Sequence, residues 1–555
     1  MPTESSWRRA LPWGGAALAG VVVVLVVAVA LPPSAPNVSR RPVASSTAPS
    51  TTAPTTPASA PIGPNTTPAP TVGPGPFVAP SIPWPLPDLD PGLASRGPRP
   101  NLAKLATYLS GNRPIVSVAP TAQASDWQLT NPNIRAVGGY ADALSVIPGG
   151  SIGLHLAGSD RSARIDVFRL GVHDAQLMVT VGQVPVAPLL VPAPDPGTGL
   201  DEMVWPLAFR LEVPATWRSG VYLAKVSAAH GQSYVPFIVR PLQPVALVVM
   251  IPMMTFEAYN SWNGVSLYHW SPLQPGRPPR GYKVSFERPF SGENGAGLLF
   301  RTAFPLIVWL EDHGYTPGFI ADTDLAADPT YATKARTFVI AGHAEYWTAS
   351  MRAALLEAEA RGVGVAAFGG NLIYRQVRLE PGDDGVPGRT VVSYKDAALD
   401  PLARTDPQLT TIEFDKLAVP EPAHEVFGAD WAGITQETRP LVVAPGIDVF
   451  APQVGLRPGQ TLPALLGGEL DQLADPADGM ALTETPIVNT AGKSIKPTAS
   501  LWLSPGGAHV FDAGTFAWTW GLDPRYAAAL PGFPTDAFAY LTAEILAWAG
   551  APPGT

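Results

Sequence analysis

Three side chains that can bind a metal or move a proton crowd into "TFVIAGHAEYW", residues 337–347: His343, Glu345 and Tyr346. The chain has only eight histidines, so this placement stands out. A histidine exchanges protons near neutral pH. The apolar run before Gly342 reads as a buried strand, which puts the three groups at a strand's mouth.

The neighbouring elements predict what else converges there. "VALVVMI" (245–251) is a continuous apolar run, as in a strand buried on both faces. "AFPLIVWLEDHG" reads as a helix, "GFIA" as a short strand and "SMRAALLEAEARG" as a helix, with Met351, Leu355 and Ala358 on one face and Gly362 at its stop. "VGVAAF" (363–368) is the next strand. Alternating β and α units predict a parallel, doubly wound sheet, and such sheets bind ligands beyond the carboxyl ends of their strands. The residues just past those strands are Glu257, Tyr259, Asn260 and Tyr268, then Asp322 and Asp324, then the opening trio, then Asn371 and Tyr374. Asp322 and Asp324 read as loop caps rather than a second metal site. Trp518 and Trp520 read as packing.

The predicted organisation has four parts. Residues 1–32 hold Arg8 and Arg9, then an uncharged apolar stretch from Leu11 to Leu31, long enough to span a bilayer at about 1.5 Å per residue. This is a membrane anchor, or a signal if cleaved near Ala28 and Ala30, with the folded part outside the cytoplasm or secreted. Residues 33–100, rich in Pro, Thr, Ser and Ala, form a disordered linker. Residues 101–240 are a β-rich, sandwich-like region of short runs such as "SIGLHLAG" and "YVPFIVR". Residues 241–550 are the α/β region, closing in the helix "DAFAYLTAEILAWAG".

Composition narrows the chemistry. A net charge of -9 without a basic cluster disfavours nucleic acid as a partner. The absence of cysteine rules out disulfides, thiolate metal sites and a Cys nucleophile, and suits an oxidising compartment.

"AYNSWNGVSLY", "GHAEYW", "GGNLIYR" and "VFDAGTFAWTWGLD", in this order, resemble the C-terminal domain of the large (β) subunit of N,N-dimethylformamidase and its relatives, across roughly residues 205–550. The resemblance implies a class I glutamine amidotransferase-like fold without the Cys nucleophile. It further implies an Fe(III) site held by two tyrosinates and a glutamate, here Tyr259, Tyr222 and Glu345. His343 and Asn371 match polar residues beside the metal, and Glu469, in "LLGGELD", matches a further active-site carboxylate. The implied protein is a membrane-tethered hydrolase of non-peptide amide C–N bonds acting on a small amide. The anchor and linker depart from the enzyme, and no counterpart of its small subunit is visible, which leaves substrate and oligomeric state open. The alternative is a non-catalytic envelope binding protein that keeps the fold.

Overall fold

The computed structural model describes residues 127–555 apart from 272–274, 384, 451–452 and 553. The expected anchor and linker, residues 1–100, lie outside the described residues. Among the described residues no helix is long and apolar enough to cross a membrane.

The β-rich part is two facing sheets. One has five strands, in the order Ser145–Val146, Gln232–Val239, Gly220–Ala228, Ser162–Gly171 and Asp174–Pro185; the other joins Gly138–Ala141, Ser151–Gly158, Ala187–Pro188 and Leu207–Glu212. Alternation turns Ile152, Leu154 and Leu156 from one sheet and Ile165, Val167 and Tyr222 from the other into a shared core. Arg169 on this sandwich ion-pairs with Glu311 of the α/β part in a buried contact.

The α/β part is built on a seven-stranded mixed sheet. Its strands are β1 (Leu247–Ile251), β2 (Gly318–Ala321), β3 (Thr337–Ile340), β4 (Gly364–Ala367), β5 (Gly479–Glu484), β6 (Thr498–Leu503) and β7 (His509–Asp512). They lie in the order β2-β1-β3-β4-β7-β6-β5. β2, β1, β3, β4 and β7 run parallel, and β6 and β5 add an antiparallel edge. The expected parallel sheet is thus extended by β6, which alone runs opposite to the rest, and by β5, which pairs antiparallel with β6; Gly506 and Gly507 allow β6 to turn straight back into β7. β1 to β4 are buried at every position, which explains their unbroken apolar runs.

Helices α1 (Met253–Tyr259), α2 (Phe304–Asp312) and α3 (Ala349–Ala360) connect these strands, and α4 (Thr535–Trp548) closes the chain. Thr348 caps α3 by accepting from the Met351 N–H at 3.2 Å. Between β4 and β5 the chain sends out a long hairpin whose arms, Ala429–Val442 and Thr461–Leu473, pair antiparallel. Sequence patterning did not predict this hairpin; its register shifts interrupt the alternation that marks a regular strand pair.

Candidate metal centre and active site

β1 and β3 are adjacent and parallel, so the segments leaving their carboxyl ends meet. α1 follows β1 directly and ends on Tyr259. β3 ends at Ile340, and the chain then turns through Gly342, at φ 90°, where a Cβ would lie 2.6 Å from that of Thr302. Only after this close approach do His343 and Glu345 enter the cleft. β4 delivers Gly370 and Asn371, and the second hairpin arm brings Glu469 across from the far side. A Cβ on Gly370 would sit 2.5 Å from the Glu469 carbonyl oxygen, so the hairpin reaches the sheet edge only over a glycine.

Glu345 is the centre of the cluster. Its Oε1 accepts from Arg375 Nε at 3.1 Å, while Oε2 accepts from Tyr259 Oη at 2.8 Å and Tyr268 Oη at 2.6 Å. Tyr268 Oη is 2.9 Å from Tyr259 Oη, and Tyr346 Oη donates to Tyr268 Oη at 2.8 Å. Tyr259 also reaches Glu469 Oε1 at 2.9 Å. His343 Nδ1 lies 2.8 Å from the Gly370 carbonyl, which can only accept, so Nδ1 carries a proton. Nε2 then faces Tyr259 Oη at 3.3 Å, Glu345 Oε2 at 3.5 Å and Glu469 Oε1 at 3.8 Å. Phe516 covers the imidazole, with ring centroids 4.2 Å apart.

Burial and charge pull these groups in opposite directions. Burial opposes a charged Glu345, yet the His343 hydrogen bond and the Lys395 and Arg375 charges outweigh it and hold its pKa well below the usual carboxylate range. Burial and the Glu345 charge push Glu469 up. Burial, with the Glu345 and Glu469 charges, drives Tyr259 and Tyr268 well above the ordinary phenol value. Burial lowers His343, but Glu345 and Glu469 raise it by more.

Asn371 adopts a left-handed backbone, φ 56°, and its N–H donates to Asp471 Oδ1 at 2.8 Å. Its Nδ2 donates to Glu469 Oε2 at 2.6 Å, and its Oδ1 is buried without a hydrogen-bond partner. Asp471 lies beside Asp512, and burial pushes Asp512 up to about 7.

One expected ligand lies elsewhere. Tyr222 belongs to the sandwich core, where its ring stacks on Trp217 at 4.8 Å and its hydroxyl donates to the Arg218 carbonyl at 2.8 Å. The second tyrosine of the cluster is Tyr268, nine residues after Tyr259 in "AYNSWNGVSLY". The clue was already in the sheet-edge list. Tyr222 sits in a strand that faces another sheet, whereas Tyr268 sits in the loop leaving α1, which must cross the cleft. Sequence reasoning also gave no role to Arg375, Lys395 or Asp471; these are second partners whose part depends on which residue they touch. Asp322 and Asp324 accept from backbone N–H groups, of Met254 and Ala321, and Asp324 also pairs with Arg240. Trp518 is fully buried, and Trp520 donates to the Arg301 carbonyl.

The donor set suits a hard trivalent cation. Tyr259 Oη, Tyr268 Oη and Glu345 Oε2 are 2.6–2.9 Å apart. Octahedral ligands at about 2.0 Å stand about 2.8 Å from one another. His343, Glu345 and Glu469 also place potential ligand atoms within 4.8 Å of each other. A search of curated proteins finds no match to the chain. The family described as "N,N-dimethylformamidase beta subunit-like, C-terminal" does match, over residues 164–529. With the two tyrosines, Glu345, His343 and Asn371 all inside that span, the chain belongs to the N,N-dimethylformamidase beta subunit-like family.

Proposed function

We propose that the protein is an amidohydrolase that cleaves a non-peptide carboxamide C–N bond, using Fe(III) held by Tyr259, Tyr268 and Glu345. The observation that carries this reading is the meeting of three anionic-capable oxygens with a proton-exchanging nitrogen, His343 Nε2, in one cleft. The sheet, with its five parallel strands and no cysteine, supports an open α/β fold of the glutamine amidotransferase kind whose usual nucleophile has been replaced. The apolar stretch from Leu11 to Leu31 supports a membrane tether.

Both phenols are neutral in the metal-free cluster and spend their protons on carboxylates. A ferric ion, when bound, supplies Lewis acidity to carbonyl and water, and its charge replaces those protons. Arg375 occupies Glu345 Oε1 and so presents Oε2 to the cleft. His343, fixed by the Gly370 carbonyl, takes a proton from the attacking water at Nε2 and returns it to the leaving nitrogen. The water oxygen ends on the acyl carbon, giving a carboxylic acid and an amine. Asn371 keeps one Nδ2–H on Glu469 and has the other for the substrate oxygen. Asp471 locks the backbone that aims it.

Phenolate-to-iron charge transfer absorbs visible light, so the purified protein should be coloured and contain iron. Tyr268→Phe should shift or weaken the band. His343→Ala should keep the band while lowering amide hydrolysis by about 10²–10⁴-fold. A wild type that stays colourless and metal-free after reconstitution with iron sinks the ferric reading and leaves a binding protein that keeps the fold.

A further inference from the structure

Tyr259 and Tyr268 reach Glu345 by different means. Tyr259 ends helix α1, whose backbone fixes it. Tyr268 follows only the short turn Trp262–Gly264, which is broken at Asn263, φ 53°. Its hydroxyl nevertheless stands 2.6 Å from Glu345 Oε2. Something other than a helix or a strand must set the path from residue 260 to residue 268.

Arg288 stands where that path turns. Its side chain is fully buried, and so are those of its two acidic partners, Glu257 and Asp201. Nε donates to Glu257 Oε1 at 2.7 Å. Nη2 donates to the Asn260 carbonyl at 3.0 Å, and Nη1 to the Val265 carbonyl at 3.1 Å, with the Trp262 carbonyl at 3.5 Å. One planar group thus holds the loop at its start, its turn and its exit. A lysine carries its three donors on one atom and could not span these carbonyls. Glu257 lies on α1, so the same guanidinium ties the loop to the helix that carries Tyr259. Asn260 tightens the start: its Nδ2 donates to Glu257 Oε2 at 3.0 Å, and its Oδ1 accepts from the Trp262 N–H at 3.1 Å. The Leu267 N–H closes the loop on the Ala258 carbonyl at 3.1 Å, one residue before Tyr268.

The β-rich part supplies the other side of the grip. Asp201 lies between its strands Ala187–Pro188 and Leu207–Glu212. The carboxylate is 3.6 Å from Arg288 Nη1, and its Oδ1 accepts from Asn263 Nδ2 at 3.2 Å. Trp205 of the same segment meets Trp262 edge-on, with ring centroids 6.3 Å apart. A buried ion pair is a weak source of stability, because desolvation offsets most of its attraction. It is a strong constraint on geometry, since each buried donor that loses its acceptor is costly.

We infer that Arg288 is a positioning residue that, with Asp201 of the β-rich part, shapes the loop 260–267 so that Tyr268 meets Tyr259 on Glu345 Oε2. The sandwich is then a working part of the metal site and not only its neighbour. The role of the two tyrosines as ligands rests on the ferric amidohydrolase reading; the placing of Tyr268 does not.

Hydrogen exchange on the metal-free full chain tests the placing, and iron titration tests its consequence. In the wild type, segment 262–268 should be protected like α1, although it is mostly irregular. Fast exchange there overturns the inference without any variant. Arg288→Lys keeps the charge and loses the span. It should speed exchange of that segment at least about tenfold and leave strand Gly220–Ala228, which carries Tyr222, as it was. Iron affinity should fall by about 10–100-fold. Because Arg288 acts through Tyr268, adding Arg288→Lys to Tyr268→Phe should weaken iron binding no further than Tyr268→Phe alone. Unchanged exchange in Arg288→Lys, or losses that add in the double variant, overturn the inference. The two readings fail separately. A wild type that binds no iron removes the ferric site, and exchange still decides the placing of Tyr268. A wild type that binds iron with segment 262–268 open keeps the ferric site and removes Arg288 from it.

Discussion

Tyr222 and Tyr259 are both tyrosines packed inside the protein, and they behave in opposite ways. In the sandwich, Tyr222 has one hydroxyl proton and one acceptor, the Arg218 carbonyl, between the rings of Trp217 and Phe237. Burial pushes its pKa up to about 12, outweighing the pull of the neighbouring Arg169 guanidinium. At the sheet edge, three phenols share two carboxylates, and one oxygen, Glu345 Oε2, receives two of them. That arrangement concentrates acceptors where a protein interior normally disperses them. The sandwich tyrosine is finished by its own fold, whereas the sheet-edge tyrosines have a cluster that a cation would complete. Burial alone therefore does not mark a site; competition for the same few protons does.

Glu345→Ala should have the largest effect, because it removes the oxygen on which both tyrosines converge. Bound iron should be lost and hydrolysis should fall by at least about 10³-fold. Tyr222→Phe is the matching change in the sandwich. It should leave metal content, spectrum and turnover as they are, and cost about 1 kcal/mol of stability for the hydrogen bond to Arg218. Iron loss in Tyr222→Phe, measured beside Glu345→Ala, would erase the distinction between the two regions.

Arg375→Met tests whether the cluster needs its outer support. The guanidinium bridges Glu345 and Glu413, so methionine preserves much of the length and removes both ion pairs. Glu345 could then turn Oε1 inward, and metal affinity should drop by about 10–100-fold with ligand identity unchanged. An unchanged affinity in a dialysis titration would mean that Tyr259 and Tyr268 hold Glu345 without help.

How far the sequence could be read follows from the same contrast. Strands β1 to β4 were legible because each is an apolar run between breakers, and the polar residues just past them named Tyr259, Tyr268, His343, Glu345 and Asn371 without any long-range information. Choosing Tyr222 over Tyr268 went wrong because a tyrosine in an alternating strand and one in a cleft-crossing loop look alike until the strand's two faces are assigned. The hairpin that carries Glu469 was not read as an element, since its bulges at Trp431–Gly433 and Thr435–Arg439 break the period on which such a reading depends. Lys395 gives no local signal at all. It is one lysine in a polar stretch, and its place beside the cluster is set against Tyr268, more than a hundred residues away in the chain.

The smallest effect concerns pH and separates the two regions once more. In the sandwich, hydrogen bonds from His230 hold Asp160 below its ordinary value. In the α/β part, burial pushes Glu544 of α4 up to about 7 and lifts Glu359 of α3 well above the carboxylate range. Each leaves one carboxyl oxygen buried without a partner. A carboxylate with a raised folded pKa binds a proton in the folded chain that the unfolded chain has released. Its contribution is complete below the unfolded value, near 4.5, and is lost as pH rises through about 7. The melting temperature should therefore fall between pH 5 and pH 8. Glu544→Gln supplies a neutral group of the same shape. It should change little at pH 5 and raise the melting temperature at pH 8 by about 2–4 °C, corresponding to about 1 kcal/mol. Calorimetric scans at the two pH values decide it. An equal shift at both would assign the effect to packing around α4 rather than to a buried proton.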